Sequence, residues 1–87
     1  MKIISISSDV LGQELDGETV LLDLASESYF GLDAVGTRVW QLLQSGAGHA
    51  ELIDTLLNEY EVERATLEKD ITDLLQRLAE AGLITVE

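Results

Sequence analysis

The spacing of the apolar residues changes near residue 33, and this change constrains the fold more than any other feature of the chain. Before it, short apolar segments rich in β-branched and aromatic residues alternate with glycines and acidic residues, which is typical of strands. After it, apolar residues recur at helical spacing up to residue 83. The sequence therefore predicts an α+β fold whose strands come first and whose helices follow.

The first half of the chain predicts three short antiparallel strands, over residues 10–15, 19–24 and 28–32. Asp16-Gly17 is a strong tight-turn dipeptide, and short connections of this kind join antiparallel neighbours. Side chains alternate between the two faces of a strand, so the residues divide into two sets. The predicted core face carries Val20, Leu22, Leu24, Phe30 and Leu32, and the mixed face carries Leu21, Asp23 and Tyr29.

The second half predicts three helices that pack on this sheet. Asp33 is a good N-cap for the first, which ends at Ser45-Gly46, and Gly82 stands where a residue with positive φ closes the third. The second helix is predicted over residues 49–60, the third over residues 64–81, and residues 83–86 form a short extended segment. Each helix carries one apolar stripe. The stripe of the first helix is Val35, Val39, Leu42 and Leu43; that of the second is Leu52, Ile53, Leu56, Leu57 and Tyr60; that of the third is Leu67, Ile71, Leu74, Leu75 and Leu78.

No linker or internal repeat divides the chain, so we expect a single domain over residues 1–87. Its predicted architecture is a three-stranded antiparallel sheet followed by three helices, similar to a winged helix-turn-helix. Trp40 is expected in the core of this domain.

The charge of the chain excludes several classes of partner. Seventeen acidic residues against five basic ones give a net charge of −12, which repels phosphate backbones and anionic lipid surfaces. The predicted second helix carries no Lys or Arg, which argues against a DNA-binding helix-turn-helix. No apolar run approaches the ~20 residues of a membrane span, and cysteine is absent. We therefore expect a cytoplasmic protein without nucleic-acid or membrane partners.

The residues offer little that could support catalysis. His49 is the only histidine, and the carboxylates are scattered at helix-surface spacings, so we expect no enzyme activity, no metal site and no cofactor. Asp73 and Arg77, at i and i+4, are predicted as an ordinary exposed ion pair. An acyl-carrier function would need an exposed serine that opens a helix, whereas Ser26 and Ser28 lie in the predicted strand region.

An open strand edge is the feature with the clearest capacity to bind. It offers unpaired N–H and C=O groups to which an extended peptide can add as another strand. The third predicted strand, Ser28-Tyr29-Phe30-Gly31-Leu32, lacks the Lys or Pro that would blunt such an edge. Two interpretations follow. The strand is a receptor edge for a peptide, or Tyr29 and Phe30 are ordinary core and surface aromatic residues of a small domain.

An ordered series of residues resembles a known family. The series consists of Glu18-Thr19-Val20-Leu21-Leu22-Asp23-Leu24, Tyr29-Phe30-Gly31-Leu32-Asp33, Val35-Gly36-Thr37-Arg38-Val39-Trp40, Leu42-Leu43, Asp70, Leu74-Leu75, Leu78 and Gly82-Leu83-Ile84. Over about residues 10–86 it resembles the PqqD-like family, whose members recognise the leader segments of ribosomally made, post-translationally modified peptides. A standalone chain of this length is most similar to those of lasso-peptide clusters. Two positions depart from the usual pattern: Glu27 replaces a common Gly, and Asp33 replaces a common Asn.

The resemblance implies a non-catalytic adaptor that binds a leader peptide by strand addition. The implied binding residues are Tyr29, Phe30, Gly31 and Leu32 on the third strand, and Asp70, Asp73, Leu74 and Arg77 on the third helix. Leu74 would receive an apolar leader side chain and the three charged residues would set orientation; alternatively, Leu74 belongs wholly to the core. The implied partners are the precursor's leader peptide, a transglutaminase-like leader peptidase and an ATP-dependent cyclase.

A second functional hypothesis comes from the fold class instead of from the resemblance. A winged-helix regulatory domain would act on a protein partner or on DNA. The two hypotheses differ in whether a short precursor peptide is the ligand.

Overall fold

The computed structural model describes residues 3–87 and contains a three-stranded sheet, a two-stranded sheet and three helices. The elements in chain order are β1 (Ile4–Ile6), β2 (Val10–Leu15), β3 (Glu18–Asp23), β4 (Ser28–Leu32), α1 (Ala34–Gln44), α2 (His49–Glu59), α3 (Arg64–Glu80) and β5 (Ile84–Val86). The larger sheet is antiparallel with the order β2-β3-β4. The predicted α+β class, with three antiparallel strands followed by three helices, is confirmed.

Turn and cap residues explain where the elements begin and end. Asp16 and Gly17 both have positive φ, 54° and 81°, which is the backbone of a tight two-residue hairpin. The Asp33 carboxylate accepts a hydrogen bond from the Gly36 N–H at 2.8 Å and so caps the start of α1, as predicted. Gly82 has a φ of 77° directly after α3, in agreement with its predicted role.

The core lies between the helices and one face of the larger sheet. Its buried side chains are Leu21, Leu32, Val39, Trp40, Leu43, Ala47, Leu52, Ile53, Leu56, Leu67, Ile71, Leu74, Leu75, Leu78, Leu83 and Ile84. The whole predicted stripe of α3 is among them, as is Trp40. Val35 and Tyr60 were predicted on the buried stripes but are exposed, because each lies at an end of its helical stripe.

The predicted assignment of the two faces of β3 is wrong. Leu21 is completely buried and shares a face with its cross-strand partner Phe30, whereas Val20 and Leu24 are about half exposed, at 48% and 51%. Phe30 and Leu32 do face the core, as predicted. The run Val-Leu-Leu is apolar on both faces, so its pattern could not identify the inner one.

The two-stranded sheet joins the two ends of the described chain. β1 pairs antiparallel with β5, with Ile4 opposite Val86 and Ile6 opposite Ile84. β5 confirms the predicted final extended segment, but β1 was not predicted, because its three residues form a shorter segment than the runs of about four to eight that indicate a strand. Across residues 3–87, every helix is too short or too polar to span a bilayer.

Candidate functional site

One edge of the larger sheet, that of β4, has no neighbouring strand within residues 3–87. Backbone hydrogen bonds alternate in direction along an antiparallel strand, and Leu15 and Glu18 flank the two-residue turn as a bonded pair. Residues at even positions of β3 therefore bond towards β2, and those at odd positions bond towards β4. The Leu24 N–H follows the same alternation, since it donates to the Asp9 carbonyl on the β2 side at 2.9 Å.

This alternation determines which groups of β4 remain available. Leu32 and Phe30 lie opposite Thr19 and Leu21, so their N–H and C=O groups bond to β3. Tyr29 and Gly31 lie between them, and their N–H and C=O groups point to the open edge. β4 therefore offers two donors and two acceptors to an added strand.

A groove of about 700 Å³ runs between the edge of β4 and helix α3. The residues that line it are Tyr29, Phe30, Gly31, Leu32, Asp33, Val35, Gly36, Leu67, Asp70, Ile71, Asp73, Leu74 and Arg77. All eight residues that the family resemblance implies are in this set, so the structure brings them together in one place. Their role in binding stays a prediction.

The groove has an apolar floor and a charged rim. Leu32, Leu67, Ile71 and Leu74 are buried and form the floor, whereas Asp70, Asp73 and Arg77 are exposed on α3. Leu74 is 9% exposed, so it belongs to the core and also lines the groove. The two assignments considered for this residue are thus compatible.

The predicted ion pair between Asp73 and Arg77 is not formed. The ion pairs among residues 3–87 join Arg38 to Glu59, and Arg64 to Asp54 and Glu68. The i, i+4 spacing permits contact on a helix, but an exposed pair gains too little to hold two long side chains in one geometry. Among residues 3–87, Arg77 is therefore a cation without a carboxylate partner and the only basic residue that lines the groove.

Several lining residues were not predicted from the sequence. Val35 and Gly36 come from the first turn of α1, which begins directly after β4. A Cβ at Gly36 would lie 3.2 Å from the Leu32 side chain, so a glycine permits this close approach. Leu67 and Ile71 could have been found by extending the helical spacing back from Leu74.

The turn before β4 holds a glutamate in the left-handed region. Glu27 has a φ of 60°, so the turn keeps the conformation that glycine usually supplies, at a cost of about 1 kcal/mol. The buried Asp23 carboxylate supports this turn by accepting hydrogen bonds from the Ala25 N–H at 3.2 Å and the Ser26 hydroxyl at 2.8 Å. The register of β4 is fixed by this turn.

The opposite edge of the sheet is tied to the helices by a chain of polar contacts. The Gln41 amide donates to the Glu14 carboxylate on β2 at 2.6 Å, and the Arg38 guanidinium donates to Gln41 at 3.3 Å and to Glu59 at 2.7 Å. The hydrogen bond from Arg38 lowers the pKa of Glu59, and the same bond raises the pKa of Arg38.

The described residues contain no cluster suited to a metal ion. His49, the only histidine, begins α2 and lines a smaller pocket of about 230 Å³ beside Ile4, Leu75 and Val86. It is remote in sequence from every residue of the groove and shares no lining residue with it.

Comparison with known proteins gives consistent matches. Residues 18–84 match the sequence model of the family described as "Coenzyme PQQ synthesis protein D (PqqD)". A "PqqA binding protein" of Rhodopseudomonas palustris strain HaA2 is 34% identical over 62 residues, and that of strain CGA009 is 32% identical. Each match covers 71% of this chain and 61% of the relative, so the chain spans under two thirds of the length of these relatives.

Two solved structures share the whole architecture. "TbiB1 in Complex with the TbiA(beta) Leader Peptide" has 45% identity and a TM-score of 0.88, over 92% of this chain and 93% of that one. "Lasso peptide synthetase B1 complexed with the leader peptide" has 32% identity and a TM-score of 0.85, over 94% and 96%. Both structures are complexes with a leader peptide.

Proposed function

Because the chain belongs to the PqqD family, we propose that it binds the leader segment of a ribosomally made precursor peptide in lasso-peptide biosynthesis. The observation that carries this proposal is the groove between the open edge of β4 and α3, where an unpaired strand edge lies beside an apolar floor. The similarity to two chains solved with leader peptides supports it.

The leader adds to the sheet as a fourth strand beside β4. The N–H and C=O groups of Tyr29 and Gly31 supply up to four main-chain hydrogen bonds, each contributing about 0.5 to 1.5 kcal/mol net. An apolar leader side chain on the floor at Leu74 contributes roughly 1.5 to 3 kcal/mol more. Together with a second filled position, these contributions bring binding to about the micromolar range after the peptide has been ordered.

The protein acts as a non-catalytic adaptor in this proposal. It holds the leader while a transglutaminase-like leader peptidase, and then an ATP-dependent cyclase, act on the precursor. The setting is the cytoplasm, where the precursor is synthesised. The net charge of −12 favours a partner surface that is neutral or basic over an acidic one.

A fluorescence-anisotropy titration tests the proposal. The probes are the labelled TbiA(beta) leader and the leader of the second solved complex, each with a scrambled version of the same composition. We expect saturable binding of at least one leader at about micromolar affinity or tighter, and none of its scrambled control. Equal binding of leader and scramble, or no binding by folded protein, contradicts the proposal.

Strand addition has its own test within the same assay. Each leader residue is replaced in turn by proline, which removes one backbone donor. We expect a short central segment in which alternate replacements weaken binding, because only alternate residues of a strand bond to β4. Unchanged affinity for every proline variant would contradict strand addition but would not contradict leader binding itself.

A further inference from the structure

We propose that the charged rim of α3 selects the direction and register of the bound peptide by the order of its charges. The inference rests on the leader binding proposed above and specifies the ligand further. It assigns to the leader a basic and an acidic side chain two residues apart, the basic one facing Asp73 and the acidic one facing Arg77.

Main-chain pairing with β4 leaves the register open. Only Tyr29 and Gly31 direct their backbone groups outward, and a peptide shifted by two residues presents the same groups and the same face. The apolar floor accepts many side chains, since burial of apolar surface is not directional. Something besides the edge and the floor must therefore define which leader residues enter the groove.

The spacing of side chains along an added strand is similar to the spacing of the charged residues along the helix. Phe30 and Leu32 share the face of β4 that borders the groove, so the leader side chains that enter it are two residues, or about 6.7 Å, apart. Asp73 and Arg77 are one helical turn apart, or roughly 6 Å along the axis of α3. Leu74 follows Asp73 in the sequence and lines the same groove, so an apolar contact adjoins the charged ones.

The rim residues are available for these contacts. Asp70, Asp73 and Arg77 are exposed, and none of them belongs to an ion pair within residues 3–87. Asp70 precedes Asp73 by three residues on the same face and doubles the negative charge at that end of the rim. A peptide in the reverse direction would place its acid against two carboxylates and its base against a guanidinium, which disfavours it.

Two charge reversals with the same net change test the proposal. Arg77→Glu alters the rim, and Lys69→Glu alters an exposed cation of the same helix that does not line the groove. The probe is the labelled TbiA(beta) leader, titrated in low and in high salt. We expect Arg77→Glu to weaken binding about fivefold or more in low salt and Lys69→Glu to change it less than about twofold, with a smaller difference in high salt.

Peptide variants then identify the contact. Each acidic leader residue is changed to lysine, and each variant peptide is titrated against the wild-type protein and against Arg77→Glu. We expect one position at which the lysine peptide differs from the original leader in opposite ways with the two proteins. It binds the wild-type protein more weakly, and it binds the Arg77→Glu protein more tightly. This exchange is a signature that general electrostatic attraction does not produce.

The outcomes separate this inference from the function on which it rests. Equal effects of the two protein variants, or the absence of any exchanging position, overturn the charge-order proposal while leader binding stands. A wild-type protein that binds neither leader contradicts the proposed function, and the charge-order proposal fails with it.

Discussion

The two edge strands of the larger sheet, β2 and β4, resemble each other in length and in having one open side, but they differ in what lies next to them. β4 borders the groove with α3, where an apolar floor and a charged rim are within reach of an added strand. β2 instead contacts α1 at Gly12 and Glu14. A Cβ at Gly12 would lie 3.2 Å from the Trp40 indole nitrogen, and Gln41 binds the Glu14 carboxylate.

The comparison leads us to expect that an open edge is necessary for strand addition but does not by itself make a receptor. Both edges offer unpaired backbone groups, and these groups are chemically the same. In the proposed function, affinity and selectivity depend on the element alongside, which for β4 is a helix set back far enough to leave room for side chains. Perturbing matched positions on the two edges should therefore give unequal effects on leader binding.

The largest difference is expected from a charge placed on the groove floor. Leu74→Asp should reduce leader affinity by about 100-fold or more, because it replaces an apolar contact with a carboxylate at a largely buried position. Leu11→Asp, the same change at a largely exposed position of β2, should leave affinity within about twofold. Anisotropy titration measures both.

The folded state of the Leu74 variant must be verified, since the residue also belongs to the core. Circular dichroism provides this control, and Leu74→Ala offers a milder change that should weaken binding in the same direction. A folded Leu74→Asp protein with normal leader affinity would place the apolar contact elsewhere.

A smaller difference is expected from proline on the two edges. Gly31→Pro removes an N–H that points to the open side of β4 and should weaken leader binding about tenfold, with little loss of stability. Glu14→Pro removes the equivalent outward N–H of β2 and should leave leader affinity unchanged. If the two variants bind the leader equally well, the peptide does not pair with β4.

The turns that precede the strands should also respond unequally. Glu27→Gly relieves a left-handed residue before β4 and should raise the free energy of unfolding by about 1 kcal/mol. Asp16→Gly, in the turn between β2 and β3, should gain less, because aspartate tolerates this region better than glutamate does. Urea denaturation measures the free energy of unfolding of both variants. An equal increase would mean that Glu27 carries no more backbone strain than Asp16.

The smallest effect is expected in the polar network on the β2 side. Glu59→Gln removes the ion pair with Arg38 and should lower the melting temperature slightly at neutral pH. Because Arg38 lowers the pKa of Glu59 in the folded protein, this contribution is present above the ordinary pKa of glutamate and disappears as the pH falls through the lowered value. Glu61→Gln is the matched control, and both variants should bind the leader normally. A difference between wild type and Glu59→Gln that persists in acid would contradict this account.

Local signals explain how much of the fold could be predicted from the sequence. The turn at Asp16-Gly17 and the cap at Asp33 are recognisable within four residues, so β2, β4 and the start of α1 were placed correctly. The regular spacing of α3 identified its buried stripe. The groove residues were assembled from the family resemblance, and the structure brings them together.

Other features depend on information that no local segment contains. The inner face of β3 is decided by its pairing with Phe30 and Leu32, since its own residues are apolar on both sides. Strand β1 exists because β5 lies beside it, although the two are at opposite ends of the chain. The side chains of Asp73 and Arg77 are exposed and gain little from pairing, so their spacing predicted a contact that is not made.

The pairing of β1 with β5 bears on how the chain folds while it is being synthesised. Ile4 leaves the ribosome 82 residues before its partner Val86, which corresponds to about 4 to 16 seconds at common rates of translation. The hairpins of the larger sheet need only nearby residues and can form during this interval. The nascent chain therefore exposes the edge of β4 before α3 has been made, and β1 gains its partner strand only after all three helices have been synthesised.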